Sequence, residues 1–158
     1  MCVSCLLKVD KIKSSELFLK LNQEIERHRS LVKPEKKIDD ELQGKMSNYN
    51  LENFNRLTGT SYLGCEEEID TDKLEDLKHA IDHYFDFYAP YDEEFKEFIK
   101  IISIYLTFIE KKPLHPPGIV FSGGRTVYQR GKIYYCTGKK YFKNEEESLC
   151  NFCVGLEV

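Results

Sequence analysis

The chain has 158 residues, of which 41% are hydrophobic and 32% charged, and a net charge of −4. That length suits one domain with a continuous core, and the balance excludes a disordered or low-complexity chain. The longest apolar run, residues 101–109, is less than half of the roughly 20 residues a membrane helix needs, which excludes a helical membrane protein.

Residues 1–7 are short of a leader and lack a basic start, so no secretory signal is read and a cytoplasmic, reducing setting is expected. Residues 14–32 read as a first helix, with Ser14 or Ser15 as cap and Leu17, Phe18, Leu21, Ile25 and His28 at helical spacing. Residues 35–45 read as a short polar helix. Asn50 can cap another, carrying Leu51, Phe54 and Leu57 up to Gly59. Residues 58–71, with Glu66-Glu67-Glu68, read as a loop. Asp72 with Glu75 predicts a capped helix over 73–88, with Leu74, Leu77, Ile81, Tyr84 and Tyr88 on one face. Asp92 caps the next helix, running to about Lys112. Its stripe is Phe95, Phe98, Ile99, Ile102, Tyr105, Leu106 and Ile109, widened by Ile101, Ile104 and Phe108. A helix this apolar is central. From Pro113 the style changes, because residues 114–118 cannot be helical. Residues 125–129 and 132–136 read as strands joined at Arg130-Gly131, and a loop follows to Cys150. The expected fold is mainly α. A helical bundle over 1–112 carries a small C-terminal β-hairpin and metal-binding knot over 113–158, packed on it as a single domain.

Six cysteines in a reducing setting suggest metal before disulfide. Cys150-Asn151-Phe152-Cys153 is a C-x2-C pair, whose tight turn aims two sulfurs the same way. Zinc takes four such ligands from Cys and His. Cys136, at the end of a strand, supplies a third. His115, in a rigid Pro-rich turn, supplies a fourth, and Cys65, or Cys2 and Cys5, can replace it. Cys2-Val3-Ser4-Cys5 is a second C-x2-C at the chain end. The alternative group is an iron–sulfur cluster, which also takes thiolates.

Leu114-His115-Pro116-Pro117-Gly118, Gly123-Gly124, Tyr134-Tyr135-Cys136 and the Cys150/Cys153 pair follow a long Phe/Ile-rich helix. Together they resemble a family of small methanogenic archaeal proteins known only as a domain of unknown function. The resemblance spans residues 92–153. The family pattern has Phe-Pro-Gly-Gly and Tyr-Tyr-Cys-Pro segments, whereas this chain has Ser122 and Thr137 where the prolines stand. Neither departure removes a proposed ligand. The resemblance implies that His115, Cys136, Cys150 and Cys153 belong together and that the setting is an archaeal cytoplasm. It implies no activity.

Other motifs are weaker. His79 and His83 stand one turn apart on a helix near Asp76 and Asp86, but lack the Glu of a zinc-protease motif and read as a solvated face. Gly123, Gly124 and Arg125 can offer backbone N–H groups and a guanidinium to an anion. Residues 110–143 carry eight Lys/Arg against one Asp/Glu. There Tyr128, Tyr134, Tyr135, Tyr141 and Phe142 interleave with Arg125, Arg130, Lys132, Lys139, Lys140 and Lys143, a pattern that could stack bases and track phosphates. The zinc-deaminase pattern is broken, because Pro117 stands two past His115 and Leu149 precedes Cys150. No nucleophile elbow is present. The expected function is therefore a non-enzymatic binding or interaction module with a structural zinc and a protein partner. The alternatives are a metal enzyme or redox protein, and a nucleic-acid-binding hairpin.

Overall fold

The computed structural model describes residues 10–32, 42–59, 61–62 and 64–158. Strand β1 (Lys11–Lys13) leads directly into helix α1 (Ser14–Ile25), which tightens into a 3-10 turn over Glu26–Leu31. The spacing of Leu17, Phe18, Leu21 and Ile25 does bury one face of α1. Its cap is not local. Lys13 occupies the cap position without a side-chain bond, and Ser14 is already helical. Instead Glu66 Oε1 accepts from the Ser15 N–H at 3.1 Å and the Ser14 hydroxyl at 3.3 Å. A carboxylate at a helix N-terminus satisfies free N–H groups and meets the positive end of the dipole. The Ser15 N–H, helped by both serine hydroxyls, holds the Glu66 carboxyl below its ordinary range.

That contact gives the first residue of the acidic run, Glu66, its role. Strand β2 (Glu68–Asp70) pairs antiparallel with β1, Ile12 opposite Ile69. The expected loop over 58–71 therefore contains a strand, one too short to show alternation in sequence. Helix α2 (Leu42–Gly59) is one continuous helix. Asn50 lies inside it and is not a cap, because the buried face of Tyr49, Asn53, Phe54 and Leu57 runs straight past it. The rest of the expected polar helix, residues 35–41, lies outside the described residues.

Helix α3 (Thr71–Tyr88) starts earlier than expected. Asp70, not Asp72, is its cap, accepting from the Asp72 N–H at 2.8 Å. Leu74, Leu77, Ile81 and Phe85 are its buried residues. Tyr88, expected on that face, is 57% exposed, with its ring 4.7 Å from that of Tyr84. Helix α4 (Glu93–Ile104) has the expected cap, Asp92 Oδ1 accepting from the Phe95 N–H. It passes into a π-helical turn over Tyr105–Glu110 and stops at Lys111, which takes a left-handed φ of 56°. Phe98, Ile101, Ile102, Ile104, Tyr105 and Leu106 are all buried. Helix α4 packs on α1, α2 and α3, the central place its composition predicts. Each such side chain contributes roughly 1.5–3 kcal/mol by leaving water. On its outer side Lys96 and Lys100 converge on Asp82 of α3 at 3.6 and 2.7 Å.

Beyond Pro113 the chain becomes a sheet. Strands β3 (Val127–Arg130) and β4 (Ile133–Cys136) form the expected hairpin. The turn is Gly131-Lys132 rather than Arg130-Gly131, since Arg130 pairs with Ile133. Gly131 alone takes positive φ there, 61°, which is the II′ geometry that suits a twisted hairpin. The expected loop to Cys150 holds a single helical turn, α5 (Lys139–Phe142), and the chain end returns as β5 (Leu156–Glu157), parallel to β4. The described residues thus form five helices, one ribbon of two strands and one sheet of three. Among them no helix is long and apolar enough to cross a membrane.

Candidate functional site

The register of β3 and β4 sets which side chains share a side. Val127 lies opposite Cys136, and Gln129 opposite Tyr134. Val127 is buried, so this is the side turned toward the protein, and Cys136 shares it. Gly155, just before β5, marks a meeting of three segments. A methyl group there would touch the Cys136 Cβ and the Cys153 Sγ at 3.6 Å each, and the Pro113 Cβ at 3.9 Å. Cys153 Sγ also accepts the Leu114 N–H at 3.4 Å.

The turn that carries the cysteine pair is held from several sides. The Cys153 N–H donates to the Cys150 carbonyl, and the Cys150 N–H to Ser148 Oγ. From α5 the Lys139 ammonium donates to the carbonyls of Cys153 and Gly155 at 2.7 and 2.8 Å. From α2 the buried Tyr49 hydroxyl donates to the Pro113 carbonyl at 2.7 Å. The C-terminal segment is therefore pinned to the helical body through Pro113 and closed on itself through Lys139. Sequence reading missed both Tyr49 and Lys139. Each acts on a backbone carbonyl far along the chain, and no local pattern signals such a bond.

The electrostatics follow from crowding. Burial pushes the Cys150 thiol up; the Ser148 bond opposes this, Cys136 and Cys153 add to it, and Lys139 opposes it. Burial likewise raises the Tyr49 hydroxyl, with Tyr134 and Cys153 adding to the effect. The three thiols therefore share one weakly polar neighbourhood with a single ammonium beside it. His115 is held below the ordinary imidazole range by burial, so it is neutral near pH 7. Its ring stands edge-on to Phe121, with centroids 4.8 Å apart.

Cys136, Cys150 and Cys153 thus come together, and Leu114 ties the chain beside His115 to Cys153. The three sulfurs do not all lie within 4.8 Å of one another. Among the described residues the one set of three His, Cys, Asp or Glu ligand atoms that does is His83, Glu146 and Glu147. Cys65 is exposed, and Cys2 and Cys5 lie outside the described residues. His79 and His83 are both exposed, as their solvated reading expects, and His83 Nε2 is 3.9 Å from Glu146. At the glycine turn, the Gly124 N–H is committed to the Phe121 carbonyl. The Arg125 guanidinium lies over the rings of Tyr141 and Phe142.

A helical body closed by a small thiol-bearing sheet is the architecture these residues define. The chain belongs to the family described as an uncharacterized protein conserved in archaea (DUF2115), whose model matches residues 8–158. The family found is one of archaeal proteins of unknown function, as the C-terminal residues suggest, and its match extends far beyond residues 92–153. A UPF0305 protein of Methanocaldococcus jannaschii is 34% identical over 157 residues, covering 90% of this chain and 95% of its own length. A UPF0305 protein of Methanothermobacter thermautotrophicus is 43% identical over 63 residues, 40% of this chain and 38% of the relative. One from Methanococcus maripaludis is 36% identical over 62 residues, 39% and 38%. No solved structure matches the chain significantly.

Proposed function

We propose that Cys136, Cys150 and Cys153 hold a structural zinc ion, with His115 as the candidate fourth ligand, and that the protein is a non-enzymatic binding module stabilised by this clip. The observation that supports the reading is the meeting of Cys136 and Cys153 at Gly155, with Cys150 near enough to feel the charge of both. The donor set suits the ion, since three soft thiols and a neutral imidazole are zinc ligands. Zinc at 2.3 Å from each sulfur sets neighbouring sulfurs roughly 3.8 Å apart. The ion would favour the thiolate form of each cysteine, and the resulting excess negative charge has Lys139 beside it. The Leu114 N–H already points at one sulfur, as donors around metal-bound thiolates do.

A set of four protein ligands leaves no open position for substrate, which favours a structural over a catalytic role. The test is the pair Cys150→Ser and Cys153→Ser. Each should lower bound zinc and thermal stability together, because metal-binding free energy is folding free energy at such sites. Full metal content and unchanged melting in both variants would contradict the assignment.

A further inference from the structure

The C-terminal sheet has a second side that the helical body does not cover. Opposite residues of paired strands point the same way, so Tyr128 with Tyr135, and Arg130 with Ile133, share the side away from Val127 and Cys136. Leu156 of β5, opposite Tyr135, extends it. Ile133 is 48% and Leu156 51% exposed, and none of these residues belongs to the hydrophobic core or packs against it. The Tyr128 and Tyr135 rings stack at 5.3 Å with their planes 21° apart. The Arg130 guanidinium lies 5.3 Å over the Tyr128 ring. This is a stacked aromatic pair with a cation over one of its rings.

Among the described residues several cations around it lack acidic partners, while Arg125, Arg130 and Lys140 lie over aromatic rings. Lys139 and Lys143 of the same segment are occupied, by backbone carbonyls and by Glu157. Arg125, Arg130, Lys132 and Lys140 make no ion pair among the described residues. Residues 110–143 hold eight Lys/Arg against one Asp/Glu, in a chain whose net charge is −4. Surplus cation is thus concentrated on the segment that carries the half-buried Tyr128–Tyr135 pair. A partner that matches both features must offer flat apolar faces and regularly spaced negative charge.

We propose that this face of the β3-β4-β5 sheet binds single-stranded nucleic acid, with bases stacking on Tyr128 and Tyr135 and phosphates following Arg130 and Lys132. A duplex hides its base faces in its own stack, and an acidic protein surface offers charge without rings to stack, so a single strand fits best. The inference goes beyond the zinc clip, whose ligands lie on the other side of the sheet or outside it.

The experiment is fluorescence anisotropy of the full chain with labelled oligouridine, oligothymidine and a duplex, across a salt series. One single strand should bind more tightly than the duplex and weaken as salt rises, and whichever of the two binds more tightly identifies RNA or DNA. Tyr128→Ala should weaken binding about tenfold, as loss of one stacking platform does. Arg130→Gln, an exposed change that leaves the fold intact, should weaken it and lower the salt slope by about one. Tyr128→Phe keeps the ring and should keep the affinity. Absence of binding to either single strand at low salt would overturn the proposal. So would equal binding to the duplex, affinity untouched by Tyr128→Ala and Arg130→Gln, or self-association of the chain that Tyr128→Ala abolishes.

Discussion

Replacing Tyr49 by Phe removes one oxygen and keeps the ring. That oxygen donates 2.7 Å to the Pro113 carbonyl, in a contact with both residues buried. It is the side-chain hydrogen bond that ties α2 to the first residue of the C-terminal segment. Phe leaves the carbonyl without that donor, so the expected cost is about 1–2 kcal/mol. For a domain of this length each kcal/mol lowers the melting midpoint by roughly 2–4 °C. Tyr49→Phe should therefore melt roughly 4 °C lower by circular dichroism, with an unchanged native spectrum. Tyr49→Ala, which also opens a cavity, should cost about 3–5 kcal/mol. Hydrogen exchange should quicken at Leu114 in both variants, since that amide depends on the same junction. A Tyr49→Phe midpoint equal to that of the parent chain would refute the reasoning, because the bond would then contribute nothing.

Asp82 takes charge from Lys96 and Lys100; burial alone would raise its pKa, but the Lys100 hydrogen bond and both lysine charges hold it below the aspartate range. Its contribution is therefore complete above the usual value of about 3.9 and is lost as pH falls through the lower folded value. Partial exposure limits it to about 0.5–1 kcal/mol. Asp82→Asn should melt lower than the parent near neutral pH, and the two curves should converge in acid; a gap that widens in acid would contradict the sign. Lys111 holds a left-handed φ that costs a side-chain residue about 1 kcal/mol relative to glycine. Lys111→Gly should raise stability in urea unfolding, despite loss of the exposed Glu67 pair; a lower midpoint would show that the ion pair matters more.

The helical body was largely legible because its signals are local. The α4 stripe and the Asp92 cap are local signals, and burial follows the spacing at Phe98, Ile102, Tyr105 and Leu106, while Phe95 is exposed and Ile99 and Ile109 are half-buried. On α3 the spacing matches the burial at Leu74, Leu77 and Ile81 but not at its end, where Tyr88 stays exposed beside Tyr84 and Phe87. What sequence did not reveal is long-range. Strands β1 and β2 have three residues each and exist because they pair far along the chain, Ile12 with Ile69 at their centre. Glu66 caps a helix 51 residues away. Asn50 resembled a cap because capping residues also occur inside helices whose packing is continuous. At the candidate site the C-x2-C spacing pointed to Cys150 and Cys153, and the end of β4 to Cys136. Tyr49 and Lys139, which hold that segment in place, gave no sign, since they bind carbonyls 64 and 14 residues distant.

Cys136, Cys150 and Cys153 are proposed as a metal clip. Elemental analysis of the chain, purified without chelators, tests it most directly when paired with a visible absorbance spectrum. A colourless protein with one zinc per chain is expected, with less zinc when Cys136 is replaced by Ser. A protein free of zinc would contradict it, and so would the brown absorbance of an iron–sulfur cluster.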